Sequence, residues 1–331
     1  MKIIKYLSLI ILLLISIDGL PQSLIIKNYR VYLGIAKKDN KEMIMLRRFN
    51  INNKDIILLL DPYNLDTKFS LAKDCNSIKL GFNEIENKFK QSPYFRLINE
   101  SKKDAKSIQD AGITHCLPKE TGVNLTIDLC PSKHHLNRKI FTAVLNTFQH
   151  IERPVPLAIA ISGRWIKEHQ KELLWLKELQ KNGDINITWI NHSLTHHYNK
   201  KLPLEKNFML MNTTNVENEV LGNEQLMIQN GLEPSVFFRF PGLISNNELL
   251  SKIYDLGLIC IGSDAWLAKG NAVHEGSIVL IHGNGNEGIG VSKFIELLLS
   301  KKTEEQNKSW LLLDLRKSLE DEYLSPEENV K

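Results

Sequence analysis

Two histidines four residues apart, His192 and His196, sit in the run "NHSLTHH". That spacing puts two imidazoles on one side of a turn, as a pair of metal ligands requires. Ionisable groups also stand at the ends of other apolar runs. "NLTID" ends on Asp128, and "VFFRF" carries Arg239 before Pro241 and Gly242. "LICIGS" is followed by Asp264, Ala265 and Trp266, and "SIVLIH" ends on His282 before "GNGNEG". Arg239, flanked by Phe238 and Phe240, needs a carboxylate, because a buried unpaired guanidinium is prohibitively costly. Asp128 is the candidate. His282 needs a partner as well, and Asp264 is placed to orient its ring.

These residue types suit metal-assisted hydrolysis. His192 and His196 would hold a divalent ion that polarises a carbonyl and activates a water. Asp128 would take that water's proton, with Arg239 keeping the carboxylate ionised and oriented. His282 would protonate a leaving amine, and Asp264 would stabilise the imidazolium. A backbone N–H near Gly242 would add an oxyanion donor, and Trp266 would offer a face on which a sugar stacks. Taken singly, each residue has a plainer reading: Asp128 caps the helix begun by "DLCPSKHHLNRKIF", the histidines form ordinary hydrogen bonds, and Trp266 fills core. Recurrence at five strand ends argues for chemistry, since α/β folds bind ligands there.

The elements that must position these groups are legible from about residue 110. Strand-like runs alternate with helical patterns such as "LNRKIFTAVLNTFQHI", "KEHQKELLWLKELQKNG" and "NVENEVLGNEQLMIQNG", with apolar residues at 3–4 spacing. Repeated β–α units imply a parallel sheet covered by helices, as an open sheet or a barrel. Residues 21–105 differ: "SLIIKNYRVYLGIA", "EMIMLRRFNI" and "DIILLLDP" are β-rich, joined by the hairpin turns "KKDNK" and "NNK" and followed by an amphipathic stretch. They are expected to form a β-rich accessory subdomain, 106–302 the main domain, and 303–331 a charged tail.

At the N-terminus, Lys2 and Lys5 precede a 12-residue apolar run, Tyr6 to Ile17, too short to span a bilayer comfortably. Residues 1–20 are therefore expected to be a signal peptide. The chain would be exported to the periplasm or beyond, with an uncleaved membrane anchor as the alternative. Among 331 residues, 43% are hydrophobic and 24% charged, which excludes a disordered chain. The formal charge of +4, without a clustered basic face, gives no reason to expect nucleic acid as a partner. Cys75, Cys116, Cys130 and Cys260 allow three full disulfide pairings, and nothing in the sequence selects one.

With its five strand-end groups in order over residues 120–300, the chain resembles the polysaccharide deacetylases, the NodB homology domain of carbohydrate esterase family 4. Thr126-Ile127-Asp128-Leu129-Cys130 stands where the family has Thr-Phe-Asp-Asp-Gly. His192-Ser193-Leu194-Thr195-His196 matches its His-Ser/Thr-x-x-His, and Arg239-Phe240-Pro241 its Arg-x-Pro. Asp264 with Trp266 looks like a shortened fourth motif, and Leu280-Ile281-His282 matches Leu-x-His. The resemblance implies a distorted (β/α) barrel and an enzyme removing N-acetyl groups from an amino-sugar polysaccharide or cell-envelope glycan. It implies Asp128 as base, Arg239 holding it, His282 as acid, and His192 and His196 binding a divalent metal, zinc foremost. The departure is Leu129, which replaces the carboxylate that serves the family as third metal ligand. His197, His134, His135 or Cys130 would complete the site, or two histidines bind metal weakly. The alternative is a non-catalytic glycan-binding or envelope-assembly relative with a decayed metal site.

Overall fold

The computed structural model describes residues 24–102 and 108–323. The N-terminal apolar run lies outside them, and no helix of the described residues is long and apolar enough to cross a membrane. The chain begins with an antiparallel sheet: β1 (Ile26–Lys38), β2 (Lys41–Ile51), β3 (Lys54–Leu60), β4 (Thr67–Leu71) and β5 (Asn76–Lys79). Its order is β4-β3-β2-β1-β5. The two expected hairpin turns are present. Asp39 and Asn40, then Asn52 and Asn53, have positive φ, the left-handed pair that a two-residue hairpin needs and that Asn and Asp tolerate. Helices α1 (Phe82–Phe89) and α2 (Pro93–Ser101) follow. Ile44, Leu46 and Leu60 of the sheet share a core with Phe95 and Ile98 of α2 and with Ile253 and Ile259 further along the chain.

The second part alternates strand and helix: β6 (Gly122–Leu129), α3 (Arg138–Phe148), β7 (Val155–Ile161), α4 (Gly163–Glu168), α5 (Gln170–Lys181), β8 (Ile185–Asn191), α6 (Val216–Gln229), β9 (Phe237–Phe238), α7 (Asn247–Asp255), β10 (Ile259–Cys260), β11 (Ala265–Trp266), β12 (Ile278–His282) and α8 (Gly288–Ser300). The strands run parallel in the order β10-β9-β8-β7-β6-β12-β11. This is a distorted (β/α) barrel. Its seam lies between β10 and the β11–β12 edge, and residues 109–116 cross it: Ile113 bridges Ile261 and His115 bridges Ser277.

Along β6 the two faces divide cleanly. Val123, Leu125, Ile127 and Leu129 point outward into a core with Phe141 and Val144 of α3 and Phe294 of α8. Period-2 alternation therefore turns Asn124, Thr126, Asp128 and Cys130 inward.

Residues 303–323 are not a free charged tail. After α9 (Lys302–Gln306), β13 (Leu311–Leu312) pairs in parallel with the start of β6, and α10 (Leu315–Tyr323) buries Leu315 and Leu319 in the first core. The apolar pair at i and i+4 outweighs the charge of the segment. Among the described residues no disulfide joins any of the four cysteines.

Candidate active site

The groups expected at the strand ends converge on the carboxyl mouth of the barrel. Asp128, at the end of β6, accepts a hydrogen bond from Arg239 Nη1 through Oδ1 at 2.7 Å. The same Nη1 reaches Thr126 Oγ1 at 2.7 Å. The rest of the guanidinium bonds the seam, with Nε donating to Ile261 O at 3.3 Å and Nη2 to Gly262 O at 2.8 Å. Arg239 is thus buried and fully partnered, and Asp128 Oδ2 is left to face His192 Nε2 at 3.6 Å.

His192 is fixed from behind. Its Nδ1 lies 2.9 Å from Arg239 O, so the Nδ1 proton belongs to that carbonyl and the Nε2 lone pair points into the site. The His196 ring stands 4.8 Å from it, centroid to centroid, and His196 Nε2 is buried without a hydrogen-bond partner. The loop between the two histidines is held tightly. Ser193 and His196 take positive φ, Ser193 Oγ accepts from His196 N at 3.1 Å, and Glu219 accepts from Thr195 N and Oγ1 at 2.9 and 2.7 Å. The start of α4 completes the grip, with Gly163 N and Arg164 N donating to the carbonyls of Ser193 and Leu194. Leu194 packs so close to Gly163 and Gly222 that a Cβ on either would come within 2.7 or 2.9 Å of it.

On the opposite side, His282 Nδ1 lies 2.9 Å from Glu287 Oε2, at an angle that makes an ion contact rather than an aligned hydrogen bond. Trp266 Nε1 donates to the same oxygen at 2.9 Å. Asp264 does not orient His282. Its carboxylate contacts His115 Nδ1 at 2.7 Å and accepts from Ser277 Oγ and Ile278 N, which ties the seam segment to the start of β12. The two strands are adjacent, but the side chain turns towards the wrong end of β12. Glu287 was missed because "GNGNEG" has no periodicity; its signal was being the sole acidic residue of that loop.

Trp266 reaches the mouth, half-buried, with its ring 5.7 Å from His282 and Lys269 Nζ 3.7 Å over it. One face of the indole is thus engaged by an ammonium. Gly242 has φ of +62°, and a Cβ there would meet the Phe208 ring at 2.7 Å, so this turn requires glycine.

Of the residues considered as substitutes for the Leu129 position, His135 contacts Glu172 at 2.7 Å, His134 packs over Gly285, and His197 is exposed. Cys130 alone joins the cluster. Its Sγ lies 3.5 Å from His192 Nε2, and donor atoms of Cys130, His192 and His196 lie within 4.8 Å of one another. Asp128, Cys130 and His282 form an overlapping group of the same size.

The electrostatics follow from this packing. Burial alone would push the Asp128 carboxyl up, but Arg239, then His192 and His282, hold it below the usual range. Burial likewise opposes a Cys130 thiolate, yet His196, His282 and His192 pull the thiol well below its ordinary value. Burial would lower His282, and Cys130, Glu287 and Asp128 outweigh it, keeping the ring protonated well above the usual histidine range. The mouth therefore brings together a carboxyl held low, an imidazole held high and a group of N and S atoms between them.

At the carboxyl mouth of this (β/α) barrel, Asp128, Cys130, His192, His196 and His282 therefore stand together. Residues 117–261 match the family model for polysaccharide deacetylase. Residues 27–96 match a separate model, the RP012 protein N-terminal domain. Among solved structures, a family 4 carbohydrate esterase from Bacillus anthracis is 17% identical, with 69% of this chain and 92% of that chain covered and a TM-score of 0.46. A carbohydrate esterase family 4 pseudoenzyme from the same organism is 17% identical over 63% of this chain and 69% of that chain, with a TM-score of 0.43. A peptidoglycan deacetylase from Bacillus subtilis is 16% identical over 62% of this chain and 92% of that chain, with a TM-score of 0.40.

Proposed function

We propose that this chain is an exported hydrolase that removes acyl groups, N-acetyl foremost, from amino sugars of a polysaccharide or cell-envelope glycan. The observation that carries this reading is the open ion pair. Arg239 binds one oxygen of Asp128 and leaves the other facing the donor cluster, with His282 nearby.

The residues fit a divalent metal. His192 has its Nδ1 proton committed and Nε2 turned inward, and His196 Nε2 is buried and unpartnered. A set of borderline and soft donors suits zinc. When bound, such an ion supplies Lewis-acid polarisation of the acyl carbonyl. The protein's own groups do the proton transfers. Asp128 Oδ2 takes the proton of the attacking water, and Arg239 keeps the carboxylate ionised through the step. His282 gives its proton to the departing amine nitrogen, while Glu287 stabilises the imidazolium. Trp266 fixes Glu287 and so the acid.

One observation favours the alternative of a non-catalytic glycan binder: Leu129 is buried in the outer core where the family pattern has a ligand. Acetate release from N-acetylated oligosaccharides and peptidoglycan separates the two. The hydrolase should release acetate, with loss on chelation and recovery on adding zinc. Glycan binding without acetate release from any acylated glycan would establish the binder.

A further inference from the structure

We propose that Cys130 is a thiolate ligand of the divalent metal, with His192 and His196, taking over the position that the family fills with a carboxylate. The inference rests on the metal-dependent reading above and names its third protein donor.

Four observations converge on it. Alternation along β6 turns Leu129 outward and Cys130 inward, on the same face as Asp128. The cysteine backbone is held on both sides, with Ser162 N and Oγ donating to Leu129 O and Asn284 Nδ2 donating to Cys130 O at 2.7 Å. The separation of the donors is that of a shared ion. Zinc binds thiolate at about 2.3 Å and imidazole nitrogen at about 2.0–2.1 Å, which at a tetrahedral angle places S and N about 3.6 Å apart. Cys130 Sγ and His192 Nε2 are 3.5 Å apart. Finally, His196 Nε2 is buried beside them with no hydrogen-bond partner, a costly arrangement unless something else binds it.

The overlapping group of Asp128, Cys130 and His282 is the weaker choice. Asp128 is already bound by Arg239, and His282 is in contact with Glu287. Both are better suited to remain outside the ligand set as base and acid. Two nitrogens and a sulfur leave a fourth position open for water or substrate, as catalytic zinc sites require. The set also selects against magnesium and calcium, which need oxygen donors.

The test uses the full chain, purified under reductant, stripped with a chelator and titrated with cobalt(II). Wild type should bind about one ion per chain and show a near-ultraviolet thiolate-to-cobalt charge-transfer band. Cys130→Ala should lose the band and bind more than about 100-fold more weakly, beyond what loss of an outer-sphere partner costs. X-ray absorption of the zinc-loaded wild type needs no variant, and should show one sulfur at about 2.3 Å. Stoichiometric binding with no band and only nitrogen and oxygen neighbours would remove Cys130 from the ligand set and leave the hydrolase reading intact. No binding by wild type would overturn the ligand assignment, and acetate release by the same sample would decide the hydrolase reading separately.

Discussion

Two arginines, one in each half of the molecule, are fully buried against a carboxylate, and they are opposites. Arg47 of β2 reaches Glu224 of α6 with both arms of its fork, Nε to Oε2 at 2.6 Å and Nη2 to Oε1 at 2.8 Å. Its Nη1 donates to the carbonyls of Leu46 and Leu256, and Tyr29 Oη donates to Glu224 Oε2 at 2.8 Å. Both carboxylate oxygens are bound, so the pair is closed, and it fastens the antiparallel sheet to the barrel. Arg239 gives one bond to Asp128 Oδ1 and the rest to Thr126 Oγ1 and the carbonyls of Ile261 and Gly262, leaving Oδ2 without a guanidinium. The closed pair is a joint, and the open pair leaves a carboxylate oxygen facing His192 Nε2 and the donor cluster.

The sharpest way to break this contrast is to disable the open pair. Asp128→Asn should lower acetate release by about 10²–10⁴-fold, the usual worth of a general base, with the far-UV circular dichroism unchanged. Turnover persisting near wild type would remove Asp128 as the base. The closed pair should answer in stability instead. Arg47→Met is expected to cost about 3–5 kcal/mol in urea unfolding, because buried Glu224 loses its cation and keeps only the Tyr29 hydroxyl. Adding Glu224→Leu should restore most of that loss. A double variant no better than the single one would mean the pair is not the joint.

Glu287→Gln sharpens the comparison at the mouth. Cys130, Glu287 and Asp128 all raise the His282 value. Removing the Glu287 charge lowers it, so the protonated acid is lost sooner and the alkaline limb of kcat/KM should move to lower pH. The rate at pH 7 should fall by less than about tenfold, and an unmoved alkaline limb would show that His282 is not the acid. The smallest effect concerns Glu233, whose carboxyl accepts from Thr67 Oγ1 at the seam of the two halves. Burial raises it from 4.5 to about 7. A folded value above the unfolded one means stability is lost as pH rises from about 4.5 through about 7. Glu233→Gln should flatten that loss by about 1 kcal/mol, discounted for partial exposure. Parallel unfolding curves for the two proteins between pH 5 and 8 would rule it out.

Much of this was written in the sequence because strand periodicity and helix periodicity are local signals. The strand-end groups could be read from where apolar runs stop, and Arg239 announced its need for Asp128 by being flanked with phenylalanines. What escaped depends on which way a side chain turns once strands are packed. Asp264 and His282 come from neighbouring strands, yet only the twist of the barrel decides that Asp264 faces the seam and that Glu287 reaches His282. Cys130 stood among four candidates, although period-2 alternation from Asp128 was enough to single it out. Residues 315–323 looked like solvent because charge dominates their composition, while two leucines one turn apart determined where they went.

Gly222 lies inside α6, where alanine would favour the helix by about 1 kcal/mol. A redesign guided by thermal stability would choose that change first. Yet an added Cβ would come 2.9 Å from Leu194 Cδ2, against the loop that carries both imidazoles. In Gly222→Ala the helix gain and this overpacking oppose each other, so the cobalt titration should weaken while the thermal melt rises by less than the helix propensity alone would give. On the proposed metal-dependent reading, making this helix a better helix would loosen the loop that carries His192 and His196, and engineers seeking robustness should leave that gap alone.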